Sequence, residues 1–600
     1  MKEVRKFPVK NKILNRLASA DRLFSLIFGL TIFAFFAVLY PFHLNYQEQY
    51  QMFLFTPEYL SQFLGKPGGI SDYLGNFFTQ FYFYSGIGAF IIALLLVLLQ
   101  RAVGNISEIQ DTNSWLYPLT AIPSVLYWAL LCDENYLLGG LISVLIAVGF
   151  LVLYMRWRNH RMSFILVLAC IPVLYWLAGG SFVILPLFAG IDRVVNHKTA
   201  VWRKVVLVLA GLALVVAMPQ TGKLIAMQYP VERLITGVNF YRFPVNRPLP
   251  LLIILLSIVA IPLVFKYLVL RRIIRKKQLL FVLLSFLVFM ASLFFISRNA
   301  NLSKEEVMAY DFHTRMRRWA AVVELAGKEM PESPLSVTCL NLALAQEGML
   351  SNRMFNYYQN GVEGLLPEFV RDYTFPMVAG EVYYHLGFVN TAQRYAFEAM
   401  EALPDYQKSV RAVMRLAETN IINGEYAVAR KYLAMLQKTF YYRKWASKAS
   451  EIMKSEELVE AHPEWGNLRK FQTREDFLFS EGEKDMMLGI FFRQNHENWM
   501  AFEYLMAWCL LNKDLGHFWQ YFPLIQSLEY SSVPVSYQEA MLYWWELSGR
   551  SRTQPFPFPV NDAVSNRFRQ FWETYRNSQN PESALKEKFS DTYWYYYQFR

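Results

Sequence analysis

The chain has 600 residues, of which 54% are hydrophobic and only 18% charged, with a formal net charge of +11. That balance excludes one ordinary soluble fold. The basic excess does not point to nucleic acid, because much of it sits in short connectors between apolar runs, at 2–16, 156–161, 192–204 and 266–277. Such connectors mark the cytoplasmic side of a membrane protein.

Taken in chain order, the predicted membrane spans are 22–41, 80–100, 114–131, 136–155, 162–178, 179–191, 205–219, 250–269 and 278–297. Each is an apolar run of the kind that crosses a hydrocarbon core, for which about 20 residues suffice. The first lacks a small-residue cleavage site and reads as a retained helix. With the N-terminus inside, the basic connectors fall after the second, fourth, sixth and eighth spans. Nine spans then carry the C-terminal half outside. The expected protein is multi-pass in a bacterial inner membrane, with a cytoplasmic N-terminus and a periplasmic C-terminal domain. Its expected fold is all-α: a polytopic membrane domain over 1–297, with an interfacial outer loop at 42–79, then a soluble helical-hairpin domain over 298–600.

The first outer loop contains EQYQMFLFTPEYLSQFLGKPGGISDYLGNFFTQF (48–81), aromatic throughout and carrying one base, Lys66. It predicts two interfacial helices, over 50–64 and 71–80, separated by the LGKPGG break. Ser71 or Asp72 has N-cap chemistry for the second. Acids on this outer side are few: Glu48, Asp72, and the Asp133-Glu134 pair in a very short hairpin. Each also has a plain reading. Glu48 is the first acid past the lipid, Asp72 a cap, and the pair a solvated turn.

Beyond residue 300 the pattern is amphipathic-helical. Three segments, 341–358, 383–404 and 415–436, each join a helix with small residues to a glycine and a second helix. The glycines are Gly348, Gly387 and Gly424, spaced by 39 and 37 residues. This resembles degenerate tetratricopeptide repeats, whose period is about 34. A further pair is predicted through 502–522, and the aromatic tail YWYYYQFR reads as a docked terminus or a lipid-headgroup contact.

No phosphate-binding glycine loop, Rossmann fingerprint or serine-esterase elbow is present. His313, His385, His462, His496 and His517 are isolated, and Cys132, Cys170, Cys339 and Cys509 form no CxxC pair, so no metal or redox motif is supported.

The membrane half, over about 20–220, resembles the polytopic glycosyltransferases that use lipid-phosphate sugars. The resemblance lies in the inside N-terminus, a first span ending near an acid, a long first outer loop with two interfacial helices, and acids in the next outer loop. It implies Glu48 as the first-loop acid and Asp133 and Glu134 as the second-loop acids. Glu48 or Asp133 would act as base, and Lys66, Arg233, Arg242 and Arg247 would meet the phosphate of a polyprenyl-phosphate sugar. Some related enzymes use a divalent metal, which Asp72 or Glu134 would help hold, although the sequence does not require one. Implied partners are the lipid bilayer, the lipid-linked donor and a periplasmic protein or glycan acceptor. The whole chain also resembles a Bacteroidetes membrane-protein family that carries no assigned function.

Two rival readings stand beside the enzyme. One is an envelope scaffold that uses the helical hairpins to bind partners, and the other is a transporter of a lipid or solute. Against ion-coupled transport, no predicted span has a charged residue in its middle.

Overall fold

The computed structural model describes residues 9–109, 111–160, 162–195, 200–236, 240–242, 249–267, 277–404, 407–473, 482–528, 530–550, 556 and 559–600, with backbone only for 9–19 and 111–113. The fold is all-α: among the described residues there is no strand, and an isolated antiparallel bridge joins Tyr136 to Tyr241. The chain divides into two units. The first is Met1–Glu305 with the short segments 404–408 and 438–441, and the second holds the remainder to Arg600. The division falls after Glu305 rather than at 297/298, inside the helix Leu302–Arg315.

In the first unit, seven described stretches are long and apolar enough to cross a membrane: Ala20–Leu39, Ser85–Ser107, Leu138–Trp157, Ser163–Val195, Val201–Ile225, Leu249–Tyr267 and Lys277–Asn299. The protein is a multi-pass membrane protein. The fourth stretch is not a single rod. Helix Ser163–Ala178 stops at Gly179, whose φ of +58° suits a residue without a β-carbon, and Ile184–Val195 runs back alongside it. At the turn, Ser143 Oγ bonds Ser181 Oγ at 2.6 Å, whereas at the far end Arg193 donates to the Arg158 carbonyl and Ser163 Oγ.

The span expected over 114–131 takes another form. It is a 3₁₀ segment, Asp111–Ala121, followed by the α-helix Ile122–Leu130. Pro118 removes an amide donor within the first part, which interrupts the i→i−4 ladder. The segment still lies along Ser85–Ser107: Gln100 Nε2 donates to Thr120 Oγ1 at 2.8 Å and Ser124 Oγ to the Leu96 carbonyl at 2.9 Å. The Thr120 and Ser124 hydroxyls are thereby satisfied within the apolar bundle, as they must be there.

The first loop holds three helices rather than two: Pro41–Gln49, Pro57–Leu64 and Gly69–Thr79. Residues 51–55 are not helical, which corrects the expected helix over 50–64. Thr56 supplies the cap for the second helix, its side chain accepting from the Tyr59 amide at 3.2 Å, with Pro57 at the first helical position. The third helix starts two residues before the expected cap. Gly68, at φ +74°, makes the bend, and Ser71 donates to the Gly68 carbonyl at 2.8 Å instead of capping. This helix packs on Leu138–Trp157 at Gly75, where an added β-carbon would lie 2.5 Å from the Gly139 nitrogen.

The second unit consists of helical hairpins. Thr374–Leu386 pairs with Val389–Glu401, and Val410–Ile422 with Tyr426–Leu436. Gly348, Gly387 and Gly424 all have positive φ, at 65°, 96° and 77°, just past the end of a first helix. The hairpin expected over 341–358 is truncated: after Pro334–Gln346 comes only the one-turn helix Leu350–Arg353 and a 3₁₀ turn. Trp499–Leu511 and Leu515–Tyr521 form the pair expected over 502–522. The aromatic terminus is docked: Tyr593 and Trp594 are fully buried, and Trp594 Nε1 donates to the Glu539 carbonyl at 2.9 Å.

Candidate functional site

The hairpin at 133–136 is fixed first by its own side chains. Asp133 Oδ1 accepts from the Asn135 amide at 2.9 Å and from Asn135 Nδ2 at 3.1 Å, an Asx-type turn that locks the carboxylate. Its second oxygen accepts the Tyr241 hydroxyl at 2.5 Å. Tyr241 is delivered there by backbone pairing. The Leu137 amide donates to the Phe240 carbonyl at 3.1 Å, and the Arg242 amide donates to the Asn135 carbonyl at 2.8 Å.

That pairing carries Arg242 inward, where it is 4% exposed. Its guanidinium donates to Tyr46 Oη at 3.0 Å and lies 5.2 Å from the centre of the Tyr50 ring. The helix Pro41–Gln49 reaches the same hairpin through Gln47 Nε2, which donates to the Tyr136 carbonyl at 3.0 Å, and Tyr50 donates to the Glu134 carbonyl. Glu134 Oε1 is paired with Lys304. Asp133, Glu134 and Arg242, three of the residues picked from sequence, therefore meet at one end of the bundle.

Two neighbours have no counterpart in the sequence reading. Glu305 accepts the Phe42 and His43 amides at 2.6 and 2.9 Å, so a carboxylate holds the first turn of Pro41–Gln49. Burial pushes its carboxyl up to about 7, against those two donors. His43 is 1% exposed, and burial pulls its imidazole down to about 4, against the nearby Glu134 and Asp133. Tyr40 stacks on it at 4.9 Å between ring centres. The signal available beforehand was the spacing His43, Tyr46, Tyr50, one helical face. Glu305 lies 262 residues beyond His43.

The other expected site residues go elsewhere. Lys66 Nζ and Asp72 Oδ2 form a buried ion pair at 2.5 Å, with the ammonium 4.8 Å from the Phe63 ring. Glu48 is buried in Pro41–Gln49. Arg233, in the short helix Val231–Thr236, lies 5.1 Å from the Tyr229 ring. Arg247 lies outside the described residues. The metal implied for related enzymes does not fit this arrangement: Asp72 is held by Lys66 and Glu134 by Lys304, and no group of three or more His, Cys, Asp or Glu among the described residues can hold one.

At the opposite end of the same helices, Asp192 is 1% exposed. It accepts Tyr154 Oη at 2.8 Å and Tyr267 Oη at 2.8 Å, and pairs with Lys266. The sequence reading placed both ions in basic connectors, and a separation of 74 positions hid the pair.

The second unit contains a buried charge network. Arg411 donates to Asp311 at 2.9 Å and to Glu381 at 3.1 Å, while Arg415 reaches Glu381 at 2.6 Å and Glu418 at 2.9 Å. The Arg415 guanidinium lies over the Tyr384 ring at 3.5 Å. Burial raises the cost of the Glu381 charge, but Arg415 and Arg411 outweigh it and hold its carboxyl at about 2. Charges so deep must be paired, and the network ties Leu302–Arg315, Thr374–Leu386 and Val410–Ile422 together.

A family profile, described as "Family of unknown function (DUF6057)", matches residues 16–600, and the chain belongs to that family. No curated protein and no solved structure matches it.

Proposed function

We propose that this family member is a membrane glycosyltransferase, moving a sugar from a polyprenyl-phosphate donor to an envelope acceptor on the periplasmic side of the inner membrane. The supporting observation is the convergence of Asp133, Glu134 and Arg242 beside the first-loop helix Pro41–Gln49. A carboxylate with Oδ1 held by Asn135 and Oδ2 by Tyr241 is an oriented base, and an adjacent guanidinium suits a phosphate leaving group. In the reaction, Asp133 would take the proton of the acceptor hydroxyl as its oxygen attacks the anomeric carbon. The bond from that carbon to the phosphate oxygen breaks, the polyprenyl phosphate leaves with the electron pair, and configuration inverts. Arg242 would offset the charge left on the phosphate. The basic connectors orient the bundle, with the N-terminus cytoplasmic and the Asp133 end periplasmic.

The test is transfer by the purified protein in vesicles containing labelled polyprenyl-phosphate sugars, with Asp133→Asn as the comparison. Loss of transfer in the variant supports the reading. Unchanged lipid and glycan profiles in cells lacking the protein would defeat it.

A second reading, a scaffold, is favoured by a specific observation: Asp72 and Glu134 are each neutralised by a lysine, as structural carboxylates are. In that reading the hairpins of the second unit are degenerate tetratricopeptide repeats that bind a partner protein. Normal glycans together with capture of one stoichiometric partner would select it.

A further inference from the structure

The helices Leu138–Trp157 and Ser163–Ala178 are joined by a short connector at the end where Arg193 is held. Phe150, Leu153, Tyr154 and Trp157 lie on one helix face at i, i+3, i+4, i+7. Ser163, Leu166, Val167 and Cys170 repeat that spacing on the other. Between the two stripes is a cavity of about 270 Å³, closed at one side by Leu185 of the returning helix. Its back wall, Tyr154 and Val167, is buried, while Leu153, Trp157 and Leu166 are 50%, 57% and 44% exposed at its mouth. Apolar side chains this exposed on membrane-spanning helices are suited to lipid contact. Each stripe runs seven residues, about 10 Å along the helix, and the volume lies below the roughly 300–1,000 Å³ of small-molecule sites.

The chemistry changes at one end. The Arg193 guanidinium donates to Ser163 Oγ, a cavity-lining atom, and lies 5.9 Å from the ring of Tyr154. Arg203 packs over Trp202 at 5.2 Å and Phe164 at 5.9 Å, on the same helix end. A narrow apolar slot suited to lipid contact, with a guanidinium fixed at its interfacial end and tryptophans beside it, has the amphipathic pattern of one lipid chain and its headgroup.

We propose that this slot binds an acyl chain of an anionic membrane phospholipid, with the headgroup phosphate at Arg193. The site is independent of the transferase reading, because it lies at the other end of the bundle from Asp133 and Arg242. It makes the protein a specific lipid binder rather than one merely surrounded by lipid.

The experiment uses the full chain in nanodiscs containing phosphatidylglycerol or phosphatidylcholine with a photoreactive chain terminus, and maps the adducts by mass spectrometry. Leu283 and Phe286, exposed on Lys277–Asn299, serve as the bulk-lipid reference. Adducts should concentrate on 150–170 relative to that reference, with a roughly fivefold preference for phosphatidylglycerol, the scale of one Arg at an anionic surface. Cys170→Phe fills the slot and should reduce its labelling to the reference level, leaving Leu283 and Phe286 unchanged. Arg193→Gln should abolish the headgroup preference while chain labelling persists. If either variant fails to fold, excess unlabelled phosphatidylglycerol must compete on the wild-type protein where phosphatidylcholine does not. Labelling of the slot equal to the reference, or equal for both headgroups, overturns the proposal.

Discussion

Asp133 and Tyr241, 108 residues apart, share a hydrogen bond of 2.5 Å that clasps the short hairpin to the segment 240–242. The phenol orients the carboxylate. Replacing Tyr241 by Phe should destabilise the first unit by about 1.5–3 kcal/mol, the range for a hydrogen bond to a charged group. In a transfer assay Asp133→Asn should lose at least about a hundredfold in rate, the scale of a general base. Tyr241→Phe should retain most of it. Equal losses in both variants would assign Asp133 to structure alone.

Lys66 and Asp72 are a buried pair, so removing one charge strands the other. Lys66→Met or Asp72→Leu should each cost about 3–5 kcal/mol, whereas the two combined should cost much less than their sum. Thermal unfolding in detergent measures the cycle. Additive losses would mean that the two charges do not act as a pair.

Gly75 and Gly139 meet with no space for a side chain: a β-carbon on Gly75 would lie 2.6 Å from the Gly139 α-carbon, which is backbone and cannot yield. Gly75→Ala should therefore push Gly69–Thr79 off Leu138–Trp157 and lower the melting temperature. Gly86→Ala, where a β-carbon meets nothing within 4 Å, is the control and should change it little. Close small-residue contacts of this kind hold membrane helices together.

Glu305 gives a pH signature. Its carboxyl is raised from 4.5 to about 7, chiefly by burial, so between those values the folded form holds more proton than the unfolded form. Its contribution therefore weakens stability as pH rises through that window, by up to about 3 kcal/mol. Glu305→Gln removes this term. The stability difference between variant and wild type should grow in the variant's favour from pH 4.5 to 7 and then level off. A difference independent of pH would contradict the assignment.

Glu381 has the opposite sign. Burial works against its ionisation, yet Arg415 and Arg411 depress its carboxyl from 4.5 to about 2. The resulting stabilisation, about 3 kcal/mol, is complete above pH 4.5 and is lost as pH falls toward 2. In Glu381→Gln the second unit should be less stable at neutral pH and show a shallower acid limb, followed by tryptophan fluorescence on acidification.

Much of the local architecture was legible beforehand. The apolar runs and their basic connectors set where the long helices begin and end, since length and hydropathy are properties of contiguous residues. Gly348, Gly387 and Gly424 marked helix ends because a positive φ is a local demand. The loop helices were displaced by a few residues, for equally local reasons: Thr56-Pro57 starts a helix more strongly than the aromatic run before it, and Gly68 makes the bend that Ser71 and Asp72 were expected to cap.

The site was legible only as residue types. Asp133 and Glu134 stood out because acids are few on the outer side, and Arg242 through the resemblance, but nothing in the chain's order says that Tyr241 reaches Asp133 or that Lys304 reaches Glu134. By the same limit, Lys66 and Asp72 looked like two site residues until folding paired them, and Asp192 and Lys266 looked like loop charges until two helices met. The sequence by itself determined an all-α membrane chain and its punctuation, since burying an apolar run or ending a helix requires only neighbours. Tertiary structure decided which charge answers which, since a buried ion is stable only beside a partner that packing brings to it, whether 6 residues away, as Asp72 to Lys66, or 170, as Lys304 to Glu134.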